Sequence, residues 1–221
     1  MIQDLKDKKL REELVLVSRR INSIGLNQGT SGNLSVRISD GILITPSSLP
    51  FEEMEPNDLV ALDLLGNPLW KGQLKPSSEW RLHTEILRKR ADIGAVVHCH
   101  SVHATALSCQ ERAIPSFHYM TAVAGGNDIR CATYATFGTK EFSGFALEAL
   151  EGRLACLLAH HGQMALGENL KQAFQIALEV ETLSNMYLKA SLLGEPPLLT
   201  GEQMIEVHNQ FKSMNYGNKA I

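Results

Sequence analysis

The sequence contains no run of about 18 apolar residues, the length that spans a bilayer. Its opening segment, MIQDLKDKKLREEL, is charged where a signal peptide carries an apolar stretch, so no leader is expected there. Nor is there a long basic run. The formal net charge is −3, and the one short cluster, LRKRAD at residues 87–92, reads as the solvated end of a helix, where basic side chains complement the dipole. Nucleic-acid and membrane-surface roles need a cationic patch, and the composition argues against both. Four cysteines (Cys99, Cys109, Cys131 and Cys156) are scattered without a Cys-x-x-Cys pair. They lie in apolar or strand-like stretches and read as reduced, buried thiols of a cytoplasmic protein. The spacing of a nucleotide-binding P-loop is also missing.

What remains is a chain of 221 residues, 44% hydrophobic, with no repeat, no low-complexity stretch and no linker. Residues 1–221 are expected to form one domain. Apolar residues at Leu10, Leu14, Val17, Ile21 and Ile24 predict an amphipathic helix closing near Gly25. NLSVRI and GILITP predict a hairpin turning at Ser39-Asp40-Gly41, and LVALDL a third strand. Helices and strands then alternate. SSEWRLHTEILRKR reads as helix, AVVHCHS as strand, SVHATALSC as a short helix, IRCATY as strand and TKEFSGFALEALEG as helix. LACLLAHHGQMALG reads as a bent strand or a hairpin. A long helix over 169–194 and a final helix over 200–214 follow. The pattern predicts a layered α/β domain with a mixed sheet.

Two histidines end an apolar strand in AVVHCHS. Side chains two apart share a strand face, so His98 and His100 stand together with Cys99 turned away. Buried imidazoles need partners. Far along the chain, AHHG supplies His160 and His161, which as neighbours face opposite ways, so at most one joins the pair. Ordinary strand-end histidines would explain one such pair. Two clusters, each ending an apolar run, point instead to a three-imidazole zinc site with one open position. His103 is a rival ligand, a helical step past Ser101.

In KPSSEWRLH, Ser78 is expected as a helix N-cap and Glu79 in the first turn. Glu79, Leu82, His83 and Ile86 fall on one helix face. An inward carboxylate wants a cation or a proton, and beside a metal it is placed to act as general base. Three further runs, GTSGN (29–33), TPSS (45–48) and Ser77-Ser78, combine glycine with hydroxyls. They serve as turns and caps or as a phosphate cradle.

In chain order, GTSGNLSVR, ITPSS, KPSSEWRLH, AVVHCHSVHA, FHYMTAVAGGNDI, YATFGTKE and LLAHHG resemble the class II aldolase/adducin family, from about residue 20 to 216. The resemblance implies a three-layer α/β/α domain with a mixed, largely antiparallel sheet, and a homotetramer with sites at subunit interfaces. It implies a Zn2+ ion held by His98, His100 and His161, with Glu79 capping the metal and then acting as acid/base. It places phosphate contacts at Gly32, Asn33, Ser47, Ser77 and Ser78. Tyr119 matches a tyrosine reaching into the neighbouring subunit's site as a proton donor. Phe137 matches an aromatic wall of the aldehyde pocket and Tyr216 a residue of the C-terminal tail. Ser48, also at the phosphate pocket, stands where the family commonly carries glycine, and the tail after Tyr216 is short. The implied reaction is cleavage of a ketose 1-phosphate, L-fuculose 1-phosphate or a deoxypentulose phosphate, into dihydroxyacetone phosphate and an aldehyde through an enediolate. The alternatives are a methylthioribulose-1-phosphate dehydratase or another phosphosugar lyase or epimerase of the same fold, and a non-enzymatic adducin-like assembly module.

Overall fold

The computed structural model describes residues 7–214. Tyr216 lies outside them. Helix α1 (Lys8–Ser23) leads into the hairpin of β1 (Asn33–Ile38) and β2 (Gly41–Ile44), followed by β3 (Val60–Leu62). Then come α2 (Trp80–Lys89), β4 (Ala95–Cys99) and α3 (Val102–Ser108). After a 3-10 turn at Tyr119–Ala124 the chain runs through β5 (Arg130–Ala132), α4 (Lys140–Ala149), β6 (Ala155–Leu158) and β7 (Gly162–Gly167). Helices α5 (Leu170–Ser191) and α6 (Gly201–Met214) complete it.

The strands form one sheet in the order β3-β2-β1-β4-β7-β6-β5. Every neighbouring pair is antiparallel except β5 with β6. Because β5 and β6 are parallel they need a crossover, and α4 provides it. Residues 154–167, the segment that read as bent strand or hairpin, are the hairpin β6–β7.

Alternation along the strands separates two cores. Leu34, Val36, Val97, Cys99, Leu157 and Ala165 pack on the face covered by α1, α3 and α5. Ile42, Ile44, Val96, Cys156, Met164 and Leu166 pack on the face covered by α2 and α4. That is a three-layer α/β/α arrangement with a mixed, largely antiparallel sheet, as expected.

Two local expectations need correction. Ser78 is not the N-cap of α2. The helix starts at Trp80 with Glu79 in the cap position, and the Ser77 hydroxyl accepts a hydrogen bond from the Glu79 N–H. The cysteines are all free thiols, but only Cys99 and Cys156 are buried, while Cys109 is exposed past the end of α3.

Candidate active site

Strand β4 lies in the middle of the sheet, with Asn33 of β1 directly opposite His98 and β7 on its other side. His98 projects to the α2/α4 face, and Cys99 belongs to the opposite core. His100 lies one residue past the strand. The β6–β7 turn decides between the adjacent histidines: His160 takes a left-handed conformation, φ 56°. Its ring turns outward, 3.2 Å from Glu111 and edge-on to Tyr134. His161 turns inward, where the Phe142 ring stacks on it at 5.4 Å. The rings of His98, His100 and His161 stand 4.7–4.9 Å apart by centroid. His103 stays outside the cluster, bonded through Nδ1 to Glu181 at 2.7 Å.

The donors of this cluster fit a divalent cation. His98 Nδ1 lies 2.8 Å from the Gln163 carbonyl. A carbonyl only accepts, so Nδ1 carries the proton and Nε2 presents a bare lone pair inward. That Nε2 is 3.0 Å from His100 Nε2 and 3.2 Å from Glu79 Oε2. Burial, reinforced by the neighbouring imidazoles, pushes His98 and His161 down to about 3. Burial also lowers His100. With neutral rings, the approach of Glu79 to His98 is not an ion pair but a meeting of two acceptors. Glu79 Oε1, buried and without a hydrogen bond, lies 3.5 Å from His161 Nε2. Nitrogen and oxygen lone pairs converging on one point, with their ring nitrogens all within 4.8 Å of one another, form a site that a cation neutralises.

Glu79 is itself held. The Asn33 amide donates to its Oε2 at 2.7 Å. The Asn33 carbonyl oxygen meets His83 Nε2 at 2.5 Å, and His83 Nδ1 meets the Ser35 hydroxyl at 2.7 Å. His83 is fully buried and is pushed down to about 3 by that burial, then by His98.

Beside the cluster opens a cavity of about 240 Å³, below the size of drug-sized sites and suited to a small metabolite. The three small-residue runs meet here. Ser47 N donates to the Lys75 carbonyl and Ser77 N to the Thr45 carbonyl, which lays TPSS against KPSS. Gly32, Asn33, Ser47, Ser48, Ser77 and Ser78 all line the cavity, with Glu79, His100 and His161 at its inner end and the exposed ring of Phe137 at its mouth. Ser48 has φ 62°, the left-handed region that favours glycine. Among the described residues, no lysine or arginine lines the cavity. Tyr119 does not line it either; its half-exposed ring lies against His118 and Phe211.

Sequence reasoning missed three contributors. Thr30 and Ser31 line the same cavity; the run GTSGN held them, but nothing in the pattern said which members face inward. Asn27 is the third. Its Oδ1 accepts from the His100 N–H at 3.1 Å, fixing the backbone of a candidate ligand far away in the chain, and no local pattern marks it.

A histidine triad with an attendant carboxylate, beside a hydroxyl-rimmed cavity at the end of a mixed α/β/α sheet, can hold a divalent cation next to a small polar ligand. The family follows from comparison: residues 12–188 match the model of the class II aldolase and adducin N-terminal domain, and the chain belongs to that family. It is 52% identical over 211 residues to a 5-methylthioribulose-1-phosphate/5-deoxyribulose-1-phosphate aldolase of Rhodospirillum rubrum, covering 96% of this chain and 94% of that protein. It is 45% identical over 206 residues to the L-fuculose phosphate aldolase of Escherichia coli K12, covering 93% and 95%. A solved L-fuculose 1-phosphate aldolase superposes with a TM-score of 0.88 at 42% identity, covering 92% of this chain and 96% of that one. These relatives are lyases, which bears out the expectation of an enzyme over an assembly module.

Proposed function

We propose that the protein uses a divalent cation, zinc being a good match to three imidazoles and a carboxylate, to cleave a ketose 1-phosphate reversibly between C3 and C4. The products are dihydroxyacetone phosphate and an aldehyde. One observation carries the reading: Glu79 Oε1, buried and unbonded, faces the open end of a three-histidine cluster beside a cavity of hydroxyls. Greater identity to the methylthioribulose/deoxyribulose phosphate aldolase than to the fuculose phosphate aldolase favours a 5-deoxy or 5-methylthio pentulose phosphate. The names of both relatives favour carbon–carbon cleavage over dehydration.

A cation held by His98, His100, His161 and Glu79 supplies Lewis acidity beside the substrate carbonyl, where negative charge develops as the bond breaks. Glu79 moves the proton at C3. In cleavage the electron pair of the C3–C4 bond stays with the three-carbon fragment, and Oε1 delivers the proton that completes C3. In synthesis it removes one. Ser47, Ser48, Ser77 and Ser78, with the backbone at Gly32, hold the phosphate near the start of α2, where the helix dipole favours an anion. Phe137 borders the aldehyde portion. Tyr119, exposed in its own chain, is assigned to the site of a second copy in a homotetramer, where it exchanges the proton of the C4 hydroxyl. The chain 1–221 acts as one unit in this scheme.

The test is release of dihydroxyacetone phosphate from 5-deoxyribulose 1-phosphate, L-fuculose 1-phosphate and D-ribulose 1-phosphate, with and without zinc. Metal-dependent release, fastest with the 5-deoxy substrate, is expected. No release from any of them by metal-loaded protein overturns the reading. Glu79→Gln is expected to stop exchange of a dihydroxyacetone phosphate proton with solvent, and undiminished exchange removes Glu79 from its role.

A further inference from the structure

We infer that His83 is a positioning residue, which through Asn33 aims the Glu79 carboxylate into the cavity. The inference rests on the proposed role of Glu79 and extends it to His83 and Ser35, which do not line the cavity.

The geometry is a rectangle of polar groups inside an apolar layer. Asn33 and Ser35, two apart, share a face of β1. Glu79 and His83, four apart, share a face at the start of α2. All four side chains are buried, Ser35 and His83 completely, and Ser35 lies opposite Val96 in the sheet. Nothing in the packing of α2 against the sheet calls for a histidine between Leu82 and Ile86. Polar groups here are costly unless each is bonded, and the pattern of bonds admits one solution.

The direction is fixed from the charged end. A carboxylate only accepts, so the atom of Asn33 facing Oε2 at 2.7 Å is its NH2 group. The other amide atom, Oδ1, therefore faces His83 Nε2 at 2.5 Å, and that nitrogen must carry the proton. Nδ1 is then bare and accepts from the Ser35 hydroxyl at 2.7 Å. Ser35 thus sets the tautomer of His83, His83 sets the orientation of the Asn33 amide, and Asn33 holds one oxygen of Glu79. The other oxygen is left without a hydrogen bond, 3.5 Å from His161 Nε2. If the His83 donor is lost, the amide is free to turn its oxygen toward the carboxylate, which repels it.

The experiment compares metal-loaded variants for kcat and KM on the ketose phosphate that the parent cleaves. His83→Phe keeps a ring of similar volume without the donor, and His83→Gln keeps a donor near the position of Nε2. Ser35→Ala removes one oxygen from the far end of the chain of bonds. Removing outer partners of a metal site commonly costs about 10–100-fold. Accordingly, kcat should fall about tenfold or more in His83→Phe and severalfold in Ser35→Ala, with KM changed less than about twofold. His83→Gln should recover most of the loss. Metal content should stay at the parent level throughout. Ser35→Ala with kcat within twofold of the parent overturns the inference, whether or not His83→Phe folds. So does a His83→Gln no better than a folded His83→Phe, since a merely structural histidine would show no rescue by a donor. Glu79→Gln, run in parallel, separates the two layers. If it retains the parent rate, the role of Glu79 is what fails. If it is inactive while Ser35→Ala runs at the parent rate, the positioning inference alone fails.

Discussion

Gly32→Ala is a severe perturbation for a single methyl group. Gly32 has φ +73°, and a Cβ there would sit 2.8 Å from the carbonyl oxygen of His98 and 2.8 Å from Asn27 Oδ1. The left-handed conformation costs a non-glycine residue about 1–2 kcal/mol, and overpacking a filled site adds about 1–3 kcal/mol. The expected destabilisation is therefore about 2–5 kcal/mol. At about 2–4 °C per kcal/mol for a chain of this size, the melting midpoint should fall by roughly 4–20 °C. Both atoms that must yield bear on the β4 segment that carries His98 and His100. One is the backbone of His98, and the other accepts the N–H of His100. Metal affinity should therefore drop about tenfold or more. Gly29→Ala is the control, with a similar φ of +62° and nothing within 4 Å; it should show the conformational cost alone and unchanged metal binding. Calorimetry of the metal-free proteins and a zinc titration of each give the comparison. If the two variants behave alike, contact at Gly32 has no hold on the ligands and the reasoning is wrong.

Chelation should abolish turnover while leaving the far-ultraviolet circular dichroism largely intact, because both apolar cores are built without the cation; unfolding on chelation would mark the metal as structural. Acid should weaken the metal-free protein early. His83, His98 and His161 are held near 3 when folded, against 6.5 for an unperturbed histidine, so the unfolded chain binds more protons between those values. Stability then rises with pH across that window and is lost as pH falls below about 6.5. The urea midpoint should be lower at pH 5 than at pH 7, and a flat profile would contradict the buried, neutral state of these rings. Ser48→Gly relieves about 1–2 kcal/mol of left-handed strain against about 0.5–1 kcal/mol of glycine entropy. Thermal unfolding should therefore show it at least as stable as the parent; a clear loss would mean that the Ser48 hydroxyl, 3.3 Å from that of Ser47, contributes to stability.

Strand periodicity was enough to put His98 and His100 side by side, because the extended backbone of β4 runs on into His100, one residue past its end. Choosing between His160 and His161 was beyond periodicity, since the outcome is set by one left-handed residue in a turn. The start of α2 misled for a similar reason. A serine before a helical pattern is a good cap signal, but Ser77 and Ser78 sit in a loop pinned to residues 45–47, and Ser77 rather than Ser78 meets the first free N–H. Beyond its hairpins the strand order could not be read, because β1 against β4 and β4 against β7 are pairings across long stretches of chain. Asn27 and the relay behind Glu79 were hidden likewise. Their roles exist only once β1, β4 and α2 are side by side.

The proposed ligands are spread so that two arrive with β4 and the third only with the turn before β7. During synthesis an emerging chain would first display a two-histidine chelate of low affinity. The complete donor set comes into being when the β6–β7 hairpin docks against β4, late in the assembly of a sheet rich in distant pairings. With that ligand set, cation loading would be tied to completion of the central sheet, and partly folded chains would have little means of sequestering metal.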